Sequence, residues 1–154
     1  MKNILIISFI FLNFGTISAQ SGSAKQVNWS FSAQKKADKT TYEVKFTAII
    51  SNGFHLYALK PGVDGPVPTS FVFSPNPLFT LSGNVKEMGK PIKKFESAWD
   101  GNVSYFEKKV EFIQIIKLKG NIKTNLSGEV EFMVCNDSQC LPPAKVPFKI
   151  AIGD

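Results

Sequence analysis

The chain has 154 residues, a formal net charge of +6 and 44% hydrophobic residues, with only two cysteines and one histidine. All 18 basic residues are lysines, so the guanidinium forks that read phosphates and base edges are missing and nucleic acid is not an expected partner. A structural zinc site takes about four Cys or His ligands and a blue-copper site takes two histidines. Two cysteines and His55 supply neither, so no metal is expected. The sequence also lacks a Gly-x-Ser-x-Gly elbow, a His-Glu-x-x-His helix and phosphate-cradling glycine motifs, which removes the common hydrolase and nucleotide-binding chemistries.

The N-terminus has the pattern of an export signal. Lys2 precedes an apolar run from Ile4 to Phe14, and Gly15-Thr16-Ile17-Ser18-Ala19 leads to an expected cleavage after Ala19. Residues 1–19 are then a cleaved signal peptide, and 20–154 form one domain with no membrane insertion afterwards.

That domain reads as strands throughout. Val27 to Phe31 alternates apolar and polar residues, and Tyr42, Val44, Phe46, Ala48 and Ile50 take every second position of a longer strand. Ser51-Asn52-Gly53 marks a tight turn, Phe54 to Leu59 a further strand, and Gly62 to Pro68 a loop. Ser70–Phe73 and Phe79–Leu81 are short strands, whereas residues 91–102 read as irregular around the Asp100-Gly101 turn. Val110–Ile116, Gly128–Val134 and Lys145–Ile152 complete the series, with Pro147 indicating an edge. No 3.6-residue period is present, and short strands punctuated by Pro and Gly predict an all-β, immunoglobulin-like β-sandwich.

The chemistry concentrates in Cys135 and Cys140, within Val134-Cys135-Asn136-Asp137-Ser138-Gln139-Cys140-Leu141-Pro142-Pro143. An exported protein with two cysteines makes one intramolecular disulfide, here closing a very small ring. On loop-entropy grounds such a ring stabilises by only about 2 kcal/mol. Two readings stand side by side: a staple bracing a loop, or a reversible couple whose sulfurs stay together when reduced. Asp137 would oppose a thiolate by like charge and Lys145 would favour one.

The motif resembles the active-site hairpin of the DsbD N-terminal domain family, periplasmic immunoglobulin-like modules of thiol:disulfide interchange proteins, and the likeness extends along the mature chain. Gly53-Phe54-His55-Leu56-Tyr57 resembles the family's aromatic strand beside the redox pair. Glu96-Ser97-Ala98-Trp99-Asp100-Gly101 resembles its cap loop. The resemblance implies that Cys140 attacks partner disulfides, Cys135 resolves the mixed disulfide, Trp99 shields the sulfurs within a cap turned at Asp100 and Gly101, and His55 and Tyr57 line the site. It also implies a protein-disulfide reductase of the periplasm, in the setting of cytochrome c biogenesis. The module would be a monomer, with no cofactor beyond the redox-active disulfide, and its clients would be exported cysteine-containing proteins. Full-length family proteins continue into a transmembrane carrier and a thioredoxin-like domain, so a separate thioredoxin-like or transmembrane electron donor is expected here. Family members carry one more residue between the cysteines. The alternative is a non-enzymatic immunoglobulin-like binding module with a structural disulfide, presenting Phe54, Tyr57 and Trp99 to a ligand.

Overall fold

The computed structural model describes residues 22–153; the expected signal peptide and its cleavage site lie outside the described residues. In chain order the elements are α1 (Gly22–Gln26), β1 (Val27–Lys35), β2 (Thr41–Ile50), β3 (His55–Tyr57), β4 (Ser70–Phe73), β5 (Phe79–Met88) and β6 (Ile92–Glu96). A 3-10 turn (Ser97–Trp99) follows, then β7 (Gly101–Glu107), β8 (Lys109–Leu118), β9 (Thr124–Phe132), β10 (Val134–Cys135) and β11 (Ala144–Ile152).

Three antiparallel sheets result, ordered β1-β2-β8-β5, β10-β3-β7-β6 and β11-β9-β4. Period-two alternation drives the first. Tyr42, Val44, Phe46, Ala48 and Ile50 of β2 all point inward beside Val110, Phe112, Ile116 and Leu118 of β8. The third sheet closes over them with Leu126, Val130, Phe132, Phe148, Ile150 and Ile152. The layers interlock through rings: Phe46 lies 4.7 Å from Phe71 and 5.0 Å from Phe148 between centroids. Pro147 sits on β11, an edge strand in which a missing N–H is tolerated.

The structure departs from the expected elements in four places. The stretch 91–102 is not irregular: β6 and β7 pair from Ile92↔Tyr105 to Glu96↔Gly101. β7 escapes pattern reading because Val103, Ser104, Tyr105 and Phe106 are all buried, covered on both faces. β5 runs on past Leu81 through a bulge between Ser82 and Lys86, where buried Gln114 donates to the carbonyls of Ser82 and Gly83 at 3.4 and 3.2 Å. The strand expected over Phe54–Leu59 contracts to His55–Tyr57, and the short helix α1 was not foreseen.

Candidate redox site

The cysteines close a hairpin held by its own backbone. Asn136 accepts from the backbone N–H groups of Ser138 and Gln139 through Oδ1 at 2.9 and 2.8 Å, and its own N–H donates to Gln139 O at 2.9 Å. An Asx turn thus reverses the chain locally. Leu141 N–H returns to Val134 O at 2.9 Å, and between these bonds Cys135 and Cys140 stand opposite each other, disulfide-bonded, with Cα atoms 4.0 Å apart. Pro142 and Pro143 offer no N–H with which to extend the ladder. The two sulfur-bearing residues differ sharply: Cys135 is 1% exposed, whereas Cys140 is exposed.

β3 forms the floor of the site, between β10 (Cys135↔His55) and β7 (Tyr57↔Tyr105). Alternation sends Leu56 into the main core and turns His55 and Tyr57 to the opposite face. The Tyr57 hydroxyl is the hub there. It receives the Trp99 indole N–H at 2.8 Å and lies 2.8 Å from Glu96 Oε2 and 3.2 Å from Cys135 Sγ. A phenol has one proton to give, so carboxylate and sulfur compete for it. Burial holds the Tyr57 hydroxyl protonated far above the usual phenol range, with the Trp99 N–H pulling the other way.

His55 packs edge-on to Tyr57 at 5.3 Å and nearly face-on to Tyr105 at 4.3 Å. Its Nε2 sits 3.2 Å from Glu96 Oε1, but no aligned hydrogen bond forms and this buried nitrogen has no such partner. Burial lowers the His55 pKa, outweighing the attraction of Glu96, Glu107 and Asp137. Burial likewise raises that of Tyr105.

Above the floor lies a cleft of about 840 Å³, walled by Phe54, Phe95, Glu96, Ala98, Asp137 and Cys140 among others, with His55 and Cys135 also facing it. Trp99, Asp100 and Gly101 do not line this cleft. The half-buried Trp99 packs from within, in a cluster with Tyr57, Val103, Tyr105, Met133 and Cys135. A Cβ at Gly65 would lie 2.4 Å from the Trp99 ring, and Gly65 also holds φ +122°, so glycine is required against the indole. Asp100 ends the 3-10 turn in the left-handed region at φ 46°, and Val63 packs on the α carbon of Gly101. The aromatic ring standing open at the cleft is Phe95, 56% exposed.

Two features eluded the sequence. Glu96 belongs to the cap motif but carried no expected role; its reach to Tyr57 spans 39 residues of chain. Lys145, expected as a cation near the thiols, instead pairs with Glu129 at 3.0 Å.

The fold is shared with two solved structures. The reduced form of the Neisseria meningitidis DsbD N-terminal domain superposes with a TM-score of 0.57 at 15% identity, covering 84% of this chain and 88% of that one. The N-terminal periplasmic domain of ScsB from Proteus mirabilis gives 0.54 at 14% identity, covering 82% of this chain and 46% of that one. At such identities the likeness concerns the fold, which is the immunoglobulin-like sandwich that the strand pattern predicted. No curated protein sequence matches the chain. A family match does: residues 19–151 fit the family described as "Thiol:disulfide interchange protein DsbD, N-terminal", and the chain belongs to that family.

Proposed function

We propose that this chain is a periplasmic thiol:disulfide interchange domain that passes two electrons through Cys135 and Cys140. The observation that carries the reading is the asymmetry of the pair, Cys140 exposed at the cleft and Cys135 buried against the Tyr57 hydroxyl. In the dithiol form, the Cys140 thiolate attacks one sulfur of a client disulfide; that S–S bond breaks and the departing client sulfur takes a proton. Cys135 then loses its proton and attacks Cys140 Sγ, closing the intramolecular disulfide and releasing the second client thiol. The client gains two electrons and two protons, and the pair loses them. A thioredoxin-like or transmembrane dithiol donor restores the pair by the reverse sequence, so no bound cofactor is involved. On this reading the Tyr57 hydroxyl, in contact with both Glu96 and Cys135 Sγ, donates its hydrogen bond to the Cys135 thiolate as it forms and gives up Glu96 to do so.

The hairpin supports this chemistry because its backbone bonds do not depend on the disulfide, so both sulfurs stay together after reduction. Family membership and the periplasmic setting of the ScsB domain support the class of reaction and the compartment.

The test is twofold. Equilibration of the protein against defined dithiol buffers is expected to give a reduction potential between about −180 and −270 mV, and Cys135→Ser is expected to trap mixed disulfides through Cys140. A potential below about −300 mV with no trapping would instead identify a structural bond in a binding module.

A further inference from the structure

The hairpin contains a broken rung. In an antiparallel ladder, the pair next to the facing cysteines exchanges two backbone bonds. That pair is Val134 and Leu141, and only one bond is direct, from Leu141 N–H to Val134 O. The other is interrupted by a hydroxyl from the far end of the chain. Val134 N–H donates to Ser23 Oγ at 3.4 Å, and Ser23 Oγ donates to Leu141 O at 3.3 Å. Ser23 lies on α1 and is fully buried. Its neighbour Gly22 packs against the Leu141 side chain.

We propose that Ser23 is a positioning residue for the redox pair, wedged at the root of the hairpin and biasing the couple toward the disulfide. The proposal rests on the exchange reading above for its significance, not for its measurement. A serine hydroxyl can donate one bond and accept another at once, which is the relay seen here. In the disulfide form the two arms are fixed by the covalent ring, and without the hydroxyl the buried Val134 N–H would be unpaired and Leu141 C=O would lose its donor. In the dithiol form the arms are released from the ring and can loosen enough for water to satisfy those groups. Removing the hydroxyl therefore costs the oxidised form more than the reduced form. The Ser23 contact thus ties the poise of the couple to the docking of the N-terminal segment, more than a hundred residues away in sequence.

The experiment compares the full chain as wild type, Ser23→Ala and Ser23→Thr, each equilibrated with a dithiothreitol buffer series and quantified by thiol alkylation. Ser23→Ala is expected to move the equilibrium toward the dithiol by about fivefold, the effect of one unpaired buried group. Ser23→Thr, which keeps a hydroxyl, is expected to restore the wild-type equilibrium to within about twofold. An unchanged equilibrium in Ser23→Ala, with oxidised and reduced forms losing equal stability in urea, overturns the proposal, as does a shift toward the disulfide. Amide exchange of wild-type Val134 gives an answer even if the alanine variant fails to fold. Faster exchange in the reduced form supports the redox-sensitive contact, and equal rates overturn it. The wild-type potential tests the exchange reading and the variant ratio tests Ser23, so either can fail alone.

Discussion

Along β3 and β7 the second sheet is covered on both faces, and the two faces are built on different principles. On one side Leu56, Phe106 and Val134 join the main core, where fully buried Phe46 packs against Phe31, Phe71, Phe73 and Phe148 at centroid distances from 4.7 to 6.2 Å. On the other, Tyr57, also fully buried, ties Trp99, Glu96 and Cys135 through one hydroxyl. Ring packing is redundant and undirected, so the core holds the fold without fixing any single atom. The Tyr57 cluster spends its burial on direction: one proton, two acceptors and a sulfur among them. A three-residue strand serves both purposes because alternation assigns its neighbours to opposite faces.

If that division holds, damage on each side should have a different signature. The largest effect belongs to the core. Phe46→Ala is expected to remove about 3–5 kcal/mol of unfolding free energy in urea titrations, while the dithiol–disulfide equilibrium of the folded protein stays within about twofold of wild type. A redox shift as large as that of a site variant would show that the two faces are not separable.

The same contrast explains what was legible in the sequence. β2 and β8 declare themselves because one face is core and the next is not, so Val44, Phe46, Val110 and Phe112 fall at every second place. β7 is covered on both sides and has no such rhythm. The course of β5 depends on Gln114, about thirty residues further on, whose amide satisfies the bulge. At the site, the cysteines stood out because few other reactive groups exist and because the diproline motif is local. Glu96 and Ser23 did not, since what defines them is a contact across 39 and 111 residues. Trp99 was expected to shield the sulfurs from a cap; it packs from within instead, and its direction depends on Gly65, which leaves room for the indole from a separate loop.

A smaller effect sharpens the comparison from the site side. Tyr57→Phe keeps the ring and removes only the hydroxyl, leaving the Trp99 N–H without its acceptor. The expected loss is about 1–2 kcal/mol of stability, the usual cost of one buried partner left unmatched. Unlike Phe46→Ala, it is expected to change the Trp99 fluorescence of the folded state and the rate at which Cys135 resolves a mixed disulfide. Normal resolution with altered stability would reduce Tyr57 to a packing residue and erase the distinction between the faces.

The smallest effect concerns His55, which stands between the two designs: an aromatic ring in a stack, yet titratable. Glu96, Glu107 and Asp137 draw a proton toward it, Lys94 repels one, Tyr57 and Tyr105 enclose it, and burial prevails, so its folded pKa lies below the unfolded value of 6.5. As pH falls below 6.5 the unfolded chain takes up the proton first, and stability declines until the folded pKa is reached, where the loss levels off. Stability should therefore rise with pH through this window. Urea midpoints between about pH 7.5 and 5.5 are expected to fall in wild type and to fall less in His55→Gln. The difference should be smaller than the Tyr57→Phe loss, because the three acids offset part of the burial. Parallel curves would mean that this offset is complete. A wild-type midpoint that rises on acidification relative to the variant would mean that the Glu96 contact dominates, and the face carrying the cysteines would then be held by charge as well as by the Tyr57 hydroxyl.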